Sequence, residues 1–198
     1  MGASSESVRL YFRLQQKMKK CDDETVVYRM QKKLERLREG FPVWIEHPGW
    51  NLATADMSVV LCIGGDSRMN AGVAKDVCDA FPANRRFLSG ESRRGRGLRV
   101  GQVVPVTKQL STRTGLKGAQ YIFNLVTKRR HHDRATYRGL ELALRNLLRQ
   151  VRERRITKLA LPMLGCGRDR LSWHRVRNLI EKVFCQYPIR LHLCLLDD

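Results

Sequence analysis

Apolar residues recur at helical spacing in the first part of the chain. Two helices are predicted, Val8–Lys20 and Glu24–Glu39, and in the second the apolar positions form one face while Lys and Arg point outward. Gly40 and Pro42 then end the second helix. We interpret residues 1–42 as a basic amphipathic helical extension. Such a hairpin can pack on the main domain, bind a partner or lie on an anionic membrane.

From residue 43 to residue 198, short apolar runs alternate with helical patterns. This alternation predicts an α/β domain with a largely buried sheet. The predicted strands are Val59–Ile63, Val100–Val106, Tyr121–Val126, Ile156–Leu164 and Ile189–Leu196. The predicted helices are Ala71–Phe81, Thr136–Arg155 and Ser172–Tyr187, of which the second has the clearest apolar face.

Charge is the first indication of a partner. The chain of 198 residues has 38 Lys and Arg against 19 Asp and Glu, a net charge of +19, and a field of this sign attracts nucleic acid, anionic lipid or a phosphate-bearing small ligand. No apolar run approaches the roughly 20 residues of a membrane-spanning helix, and the N-terminus lacks an apolar signal core. The six cysteines show no metal-ligand spacing. We therefore expect reduced cysteines and a nuclear or cytoplasmic protein with no transmembrane segment.

Positive charge is concentrated between Arg85 and Arg130. This stretch, residues 85–130, contains twelve Lys or Arg and a single acid, Glu91. Within it, residues 92–97 have the composition of a flexible basic loop. Two interpretations stay open, a solvated loop or a contact with RNA or DNA.

Two glycine-containing turns are predicted to join a strand to a helix. The first turn comprises residues 64–75 and the second turn residues 162–171. Small residues in such turns let the backbone approach a phosphate, and the N–H groups at a helix start donate hydrogen bonds to anions. Two such turns with opposite flanks can hold a diphosphate. Neither fits the P-loop or the dinucleotide fingerprint, so these two classes of nucleotide site are disfavoured.

The turn Ser67–Lys75, the strand Tyr121–Lys128, the segment Ala135–Tyr137 and the stretch Leu161–Trp173 resemble the macrodomain family. The similarity is greatest to the branch of terminal ADP-ribose protein glycohydrolases, also described as O-acetyl-ADP-ribose deacylases. It covers about residues 43–198. The resemblance implies a three-layer α/β/α sandwich with a mixed central sheet, which binds ADP-ribose across the C-terminal ends of its strands.

The resemblance also implies where the reaction takes place. In that branch, a lysine at a strand end attacks the anomeric carbon of the distal ribose and forms a covalent lysyl adduct, which an aspartate helps to release. The matching catalytic residues are Lys128 and Asp169, with no metal and with ADP-ribose as ligand or product rather than a cofactor. The two turns would hold the diphosphate and the distal ribose. Their candidate ligand-binding residues are Ser67, Arg68, Met69, Asn70, Ala71, Gly72, Gly165, Cys166, Gly167 and Arg168.

The local sequence around Lys128 and Asp169 allows two interpretations. Arg129 and Arg130 follow Lys128, and neighbouring cations together with partial burial favour the neutral amine that a nucleophile requires. Without the resemblance, a lysine in such a basic run is a solvated cation, and an aspartate between two arginines belongs to a surface ion pair.

The segment that would bind adenine departs from the family pattern. Where the branch has Gly-Asp-Leu, with an Asp that holds the adenine amine, this chain has Gly49-Trp50-Asn51-Leu52. Asn51 can accept a hydrogen bond from an amine, and Trp50 can either stack on a base or belong to the core. Asp66 is a further candidate, either to orient the first turn or to bind ribose.

We expect an ADP-ribosyl hydrolase that removes mono-ADP-ribose from acidic side chains, or deacylates ADP-ribose esters, through a lysyl-ADP-ribose intermediate. Its partners would be ADP-ribosylated proteins or ADP-ribose esters. The alternative is a non-catalytic macrodomain that binds ADP-ribose, or RNA or DNA through residues 85–130. A third hypothesis is a structural or viral assembly protein whose N-terminal helices bind membrane or genome.

Overall fold

The computed structural model describes residues 5–38, 42–93, 97–108, 120–185 and 187–195. Its strands are β1 (Val43–Pro48), β2 (Val59–Gly64), β3 (Val103–Thr107), β4 (Tyr121–Lys128), β5 (Lys158–Leu161) and β6 (Arg190–Leu195). Its α-helices are α1 (Ser5–Met18), α2 (Glu24–Arg38), α3 (Val73–Ala80), α4 (Pro82–Arg93), α5 (Tyr137–Glu153) and α6 (Trp173–Phe184). A short 3-10 helix, Leu52–Thr54, lies between β1 and β2.

The six strands form one mixed sheet in the order β1-β6-β5-β2-β4-β3. Every pair is parallel except β3 with β4, which is antiparallel. In β4, every residue from Ile122 to Thr127 is buried, so both faces of this strand are covered. A continuous apolar run in the sequence is the expected signature of such a strand.

Helices cover the two faces of the sheet and so form the three layers. On one face, α5 and α6 contribute Leu140, Leu144, Leu147, Val176 and Ile180 to the larger apolar core. On the other face, α3, α4 and the 3-10 helix pack against β2 and β4 in a second core. The predicted three-layer α/β/α architecture with a mixed sheet is therefore confirmed.

The two N-terminal helices pack against each other and against the edge of the sheet. Tyr11 of α1 and Leu34 of α2 are buried in a small cluster that also includes Val43 of β1. This contact with β1 corresponds to packing on the main domain, one of the three arrangements considered for the hairpin. Within the described ranges, no helix is long and apolar enough to cross a membrane.

Some elements differ from the sequence prediction. Strand β1 was not predicted, because Glu46 and His47 interrupt its apolar run. Helix α4 extends through residues 85–93, so the beginning of the basic stretch 85–130 is helical and the predicted loop 92–97 starts within the last turn of α4. Strand β3 begins at Val103 rather than Val100, because a turn with Gly101 at φ +90° precedes it. Of the predicted loop 92–97, residues 94–96 lie outside the described residues.

Candidate functional site

A cavity of about 300 Å³ opens at the carboxyl ends of β2, β4 and β5. In open α/β sheets, ligands bind at this edge of the strands. Both glycine-containing turns line the cavity, together with the end of β4. The lining residues that the sequence predicted are Arg68, Met69, Asn70, Ala71, Gly72, Lys128, Gly165, Gly167, Arg168 and Asp169.

Lys128 and Asp169 form an ion pair in the wall of this cavity. The Nζ of Lys128 donates to Oδ1 of Asp169 at 2.7 Å, and the two side chains are only 11% and 9% exposed. The same Oδ1 accepts a second hydrogen bond, at 3.2 Å, from the backbone N–H of Ala135. A solvated lysine and a surface ion pair with the flanking arginines are therefore both wrong. The charged group beside the Lys128 amine is the carboxylate of Asp169, whereas the local sequence predicted the cations Arg129 and Arg130 as its neighbours.

The second turn carries Asp169 into the cavity. Backbone hydrogen bonds close it, from Leu171 N–H to the Gly165 carbonyl at 3.0 Å and from Arg170 N–H to the Gly167 carbonyl at 3.1 Å. Gly165 has φ +71°, a conformation that side chains other than glycine rarely adopt. The path of this turn thus depends on a glycine at position 165.

The first turn leads from β2 into α3. Ser67 and Met69 are buried, whereas Arg68 and Asn70 are exposed. The guanidinium of Arg85, on α4, donates to the Met69 carbonyl at 3.0 Å and so fixes the turn from outside the cavity. No local pattern connects Arg85 with the first turn, because the contact forms only in the folded chain, between residues 16 positions apart.

Asp66 orients the first turn through His131. Its Oδ2 lies 2.7 Å from the ring Nδ1 of His131 and accepts from the His131 backbone N–H at 3.1 Å. Burial acts to raise the pKa of Asp66, but the hydrogen bonds from His131 and from the Arg68 backbone N–H outweigh it and lower the pKa. His131 itself lines the cavity. The contacts of Asp66 with His131 favour a role in orienting the first turn over a role in binding ribose.

Two cysteine side chains lie near the ion pair. Cys62 of β2 lines the cavity, and burial, with a smaller effect of the Asp169 anion, raises the pKa of its thiol to about 12. Cys166 donates to the Leu164 carbonyl, and burial raises the pKa of its thiol as well. Both thiols are therefore protonated at neutral pH and are poor nucleophiles.

Four predicted ligand-binding residues do not line the cavity: Trp50, Asn51, Ser67 and Cys166. Asn51 instead caps the 3-10 helix, where its Oδ1 accepts from the Ala53 N–H at 2.8 Å. The Trp50 ring packs on the His47 ring with 4.4 Å between centroids. Conversely, the sequence missed the lining residues Pro162 and Met163 as ligand contacts, although they begin the second turn.

His192, which lies near the Trp50 ring, predicts that the stability of the protein depends on pH. His192 lies 2.9 Å from His47, and burial, aided by His47 and Arg190, lowers its pKa from 6.5 to about 4. The unfolded chain binds this proton near pH 6.5, whereas the folded chain binds it only near pH 4. The free energy of unfolding should therefore decrease as the pH falls through this interval, by less than the roughly 3 kcal/mol that an unscreened shift would give, because solvent screens this half-buried ring.

Urea unfolding between pH 4 and pH 7 measures this effect. We expect His192→Phe to flatten the pH dependence, and His174→Gln, at an exposed position on α6, to leave it unchanged. Equal slopes for the wild type and His192→Phe would contradict the prediction.

The comparisons with known proteins agree with this geometry. The family model for the Macro domain matches residues 65–180. The proteins named ADP-ribose glycohydrolase OARD1 of Bos taurus and Homo sapiens are each 32% identical over 134 residues, which are 68% of this chain and 78% of the relative. A protein of Thermus aquaticus named DNA ADP-ribosyl glycohydrolase is 33% identical over 116 residues, 58% of this chain but only 30% of that protein.

Solved structures show the same fold. The macrodomain of Mycobacterium tuberculosis DarG has a TM-score of 0.65 and 24% identity, and the match covers 78% of this chain and 99% of that one. Thermosipho africanus DarTG in complex with ADP-ribose has a TM-score of 0.67 and 18% identity, over 87% of this chain and 51% of that one. At these identities the likeness concerns the fold.

Proposed function

Because the chain belongs to the macrodomain family, we propose that it is an ADP-ribosyl hydrolase that removes mono-ADP-ribose from acidic side chains or cleaves related ADP-ribose esters. The observation that carries this proposal is the buried ion pair of Lys128 and Asp169 in the wall of the cavity. Relatives that are 32% identical are named ADP-ribose glycohydrolases, which supports a hydrolase. The linkage and the residue roles are our proposal.

Lys128 would act as the nucleophile and Asp169 as the acid and base. An amine attacks only when neutral, and Asp169 lies close enough, at 2.7 Å, to take the proton of the Lys128 ammonium. The amine then forms a C–N bond with the anomeric carbon of the distal ribose. The C–O bond to the substrate carboxyl breaks, and the carboxylate leaves as an anion.

Water would then complete the reaction. After Asp169 has lost its proton to solvent, it accepts a proton from the water that attacks the anomeric carbon. The C–N bond breaks, the proton passes to the Lys128 amine, and ADP-ribose is released. One water is consumed and one proton is released for each ester cleaved.

The two turns would bind the diphosphate between them. Residues 70–74 of the first turn and Gly165, Gly167 and Arg168 of the second line the cavity, and backbone N–H groups in such turns are the type of donor that holds phosphate. Arg68 and Arg168 are exposed on the first and second turns and add positive charge. Trp50 and Asn51 lie outside the cavity wall, so we do not assign them contacts with this part of the ligand.

The test is release of free ADP-ribose from a protein mono-ADP-ribosylated on glutamate. We expect release by the wild type, and much slower release from a serine-linked substrate, because an alkoxide leaves far less readily than a carboxylate. Release from neither substrate, with protein that still binds ADP-ribose, would contradict hydrolysis and favour a binding module.

A trapped intermediate tests the nucleophile directly. In Asp169→Asn the first step is slowed, because only solvent can take the proton of Lys128, and the second step loses its base. We therefore expect part of the protein to gain the mass of one ADP-ribosyl group during long incubation with substrate. Peptide mapping should place this mass on Lys128. An adduct on another residue would contradict the assignment.

A further inference from the structure

A second cleft, of about 670 Å³, is lined by the residues that follow β2, by the residues that follow β4 and by residues 97–100. Three arginines line it, Arg99, Arg129 and Arg130, and we call it the arginine cleft. All three side chains are exposed, and none has an acidic partner among the residues that the structure describes. The acid in its wall, Asp66, is already bound to His131. The cleft therefore carries three positive charges against the single negative charge of Asp66, an excess of positive charge in its wall.

Backbone contacts fix the walls of the cleft. The Gly65 N–H donates to the Lys128 carbonyl at 2.9 Å, and the Gly65 carbonyl accepts from the Leu98 N–H at 3.0 Å. A Cβ on Gly65 would lie 2.3 Å from the Leu98 carbonyl oxygen, so these segments meet only at a glycine. Gly65 thus ties the chain that carries Arg99 to the strand end that carries Arg129 and Arg130. A wall that is formed in advance lowers the cost of binding.

Several other cations of residues 85–130 already have partners within the described chain. Arg85 donates to a carbonyl of the first turn, Lys108 is buried against the Ala55 carbonyl, and Lys128 is paired with Asp169. The twelve-to-one excess of basic residues in this stretch does not, therefore, form a uniform surface. The arginine cleft is a concave part of this surface whose lining includes three exposed arginines of the stretch.

We propose that the arginine cleft binds consecutive phosphate groups of a nucleic-acid strand. The guanidinium fork binds phosphate oxygens in pairs, and a strand presents phosphates in series, which matches three neighbouring arginines. Val100, which is 36% exposed in the wall, offers an apolar contact to a sugar or base. The net charge of +19 would attract such a strand from a distance. An acidic peptide offers carboxylates on flexible side chains and fits this fixed wall less well.

The experiment measures binding of a fluorescently labelled single-stranded DNA of about 20 nucleotides to the full chain by anisotropy, over a series of salt concentrations. The test variant is Arg99→Gln/Arg129→Gln/Arg130→Gln. The control variant is Arg13→Gln/Arg29→Gln/Lys33→Gln, which removes the same charge from exposed positions on α1 and α2. These helices pack against β1, the outer strand at the edge of the sheet opposite β3.

We expect Kd to rise by about tenfold or more in the test variant at moderate salt, and to change by less than about threefold in the control. Each lost phosphate contact should also reduce the slope of log K against log salt by about 0.7, a total of about 2. A third variant, Arg99→Lys/Arg129→Lys/Arg130→Lys, should keep most of the slope of log K against log salt but lose affinity, because Lys cannot bind phosphate as a fork.

An equal loss of DNA affinity in the test and control variants would overturn the proposal, because it would show that DNA responds to the overall positive charge and not to the arginine cleft. Tighter binding of polyglutamate than of DNA, or no binding of DNA by the wild type, would also overturn it. Unchanged thermal unfolding and ADP-ribose binding would show that the variants are folded. Binding does not require hydrolysis, so a wild type that binds DNA but releases no ADP-ribose contradicts only the proposed function.

Discussion

Lys128→Met is expected to lower the release of ADP-ribose from a glutamate-linked substrate by about a thousandfold or more. The thioether has no basic nitrogen, so the C–N bond with the anomeric carbon cannot form. Single-turnover release of labelled ADP-ribose measures the loss. The fall should appear in the rate of the chemical step rather than in ADP-ribose affinity, because the two turns remain intact.

Lys128→Arg separates the nucleophile from the ion pair. Arg keeps a positive charge beside Asp169, but its guanidinium stays protonated and does not attack carbon. We therefore expect a protein as stable as the wild type and as inactive as Lys128→Met. Substantial activity in Lys128→Arg would assign Lys128 an electrostatic role instead, and the lysyl adduct would be wrong.

The same ion pair is expected to dominate the stability of this edge of the sheet. Lys128→Met leaves the Asp169 carboxylate 9% exposed with the Ala135 N–H as its remaining donor. Asp169→Leu leaves the Lys128 ammonium without its anion. Removing one partner of a fully buried pair costs about 3 kcal/mol, so for this largely buried pair we expect a cost of up to about 3 kcal/mol, which corresponds to a fall in Tm of up to about 12 °C for a chain of this length.

The double variant Lys128→Met/Asp169→Leu tests this account. Replacing both partners with apolar side chains of similar size removes both unpaired charges, so we expect the double variant to be more stable than either single variant. Thermal and urea unfolding of the four proteins gives the coupling free energy. Additive losses would show that the pair contributes little and that each side chain acts through its own packing.

The sequence predicts elements best where the apolar period is long and unbroken. Helix α5 and strand β4 lie close to their predicted positions, because α5 has one continuous apolar face and β4 an uninterrupted apolar run. Helix α4 was hidden by Pro82 at its start, Gly90 within it and several arginines, a composition typical of loops. Pro82 is in fact at the first helical position, where its lack of an N–H costs nothing.

The site depends on contacts that no local pattern contains. Lys128 and Asp169 are 41 residues apart, and the resemblance to a family, rather than their flanking residues, linked them. Their flanking arginines predicted solvated charges, whereas the packing of the second turn on β4 buries both. Likewise the sequence allows Trp50 to stack on a base, but the pairing of β1 with β6 places His47 and His192 against the Trp50 ring.

The order of the strands also bears on self-association. A sheet with free outer strands exposes backbone groups to which another chain can add. Here the outer strands are β1 and β3, and each contains a proline, Pro48 and Pro105, which has no N–H to donate. The two borders of the sheet are therefore poor templates for strand addition, which opposes amyloid-like growth at either side.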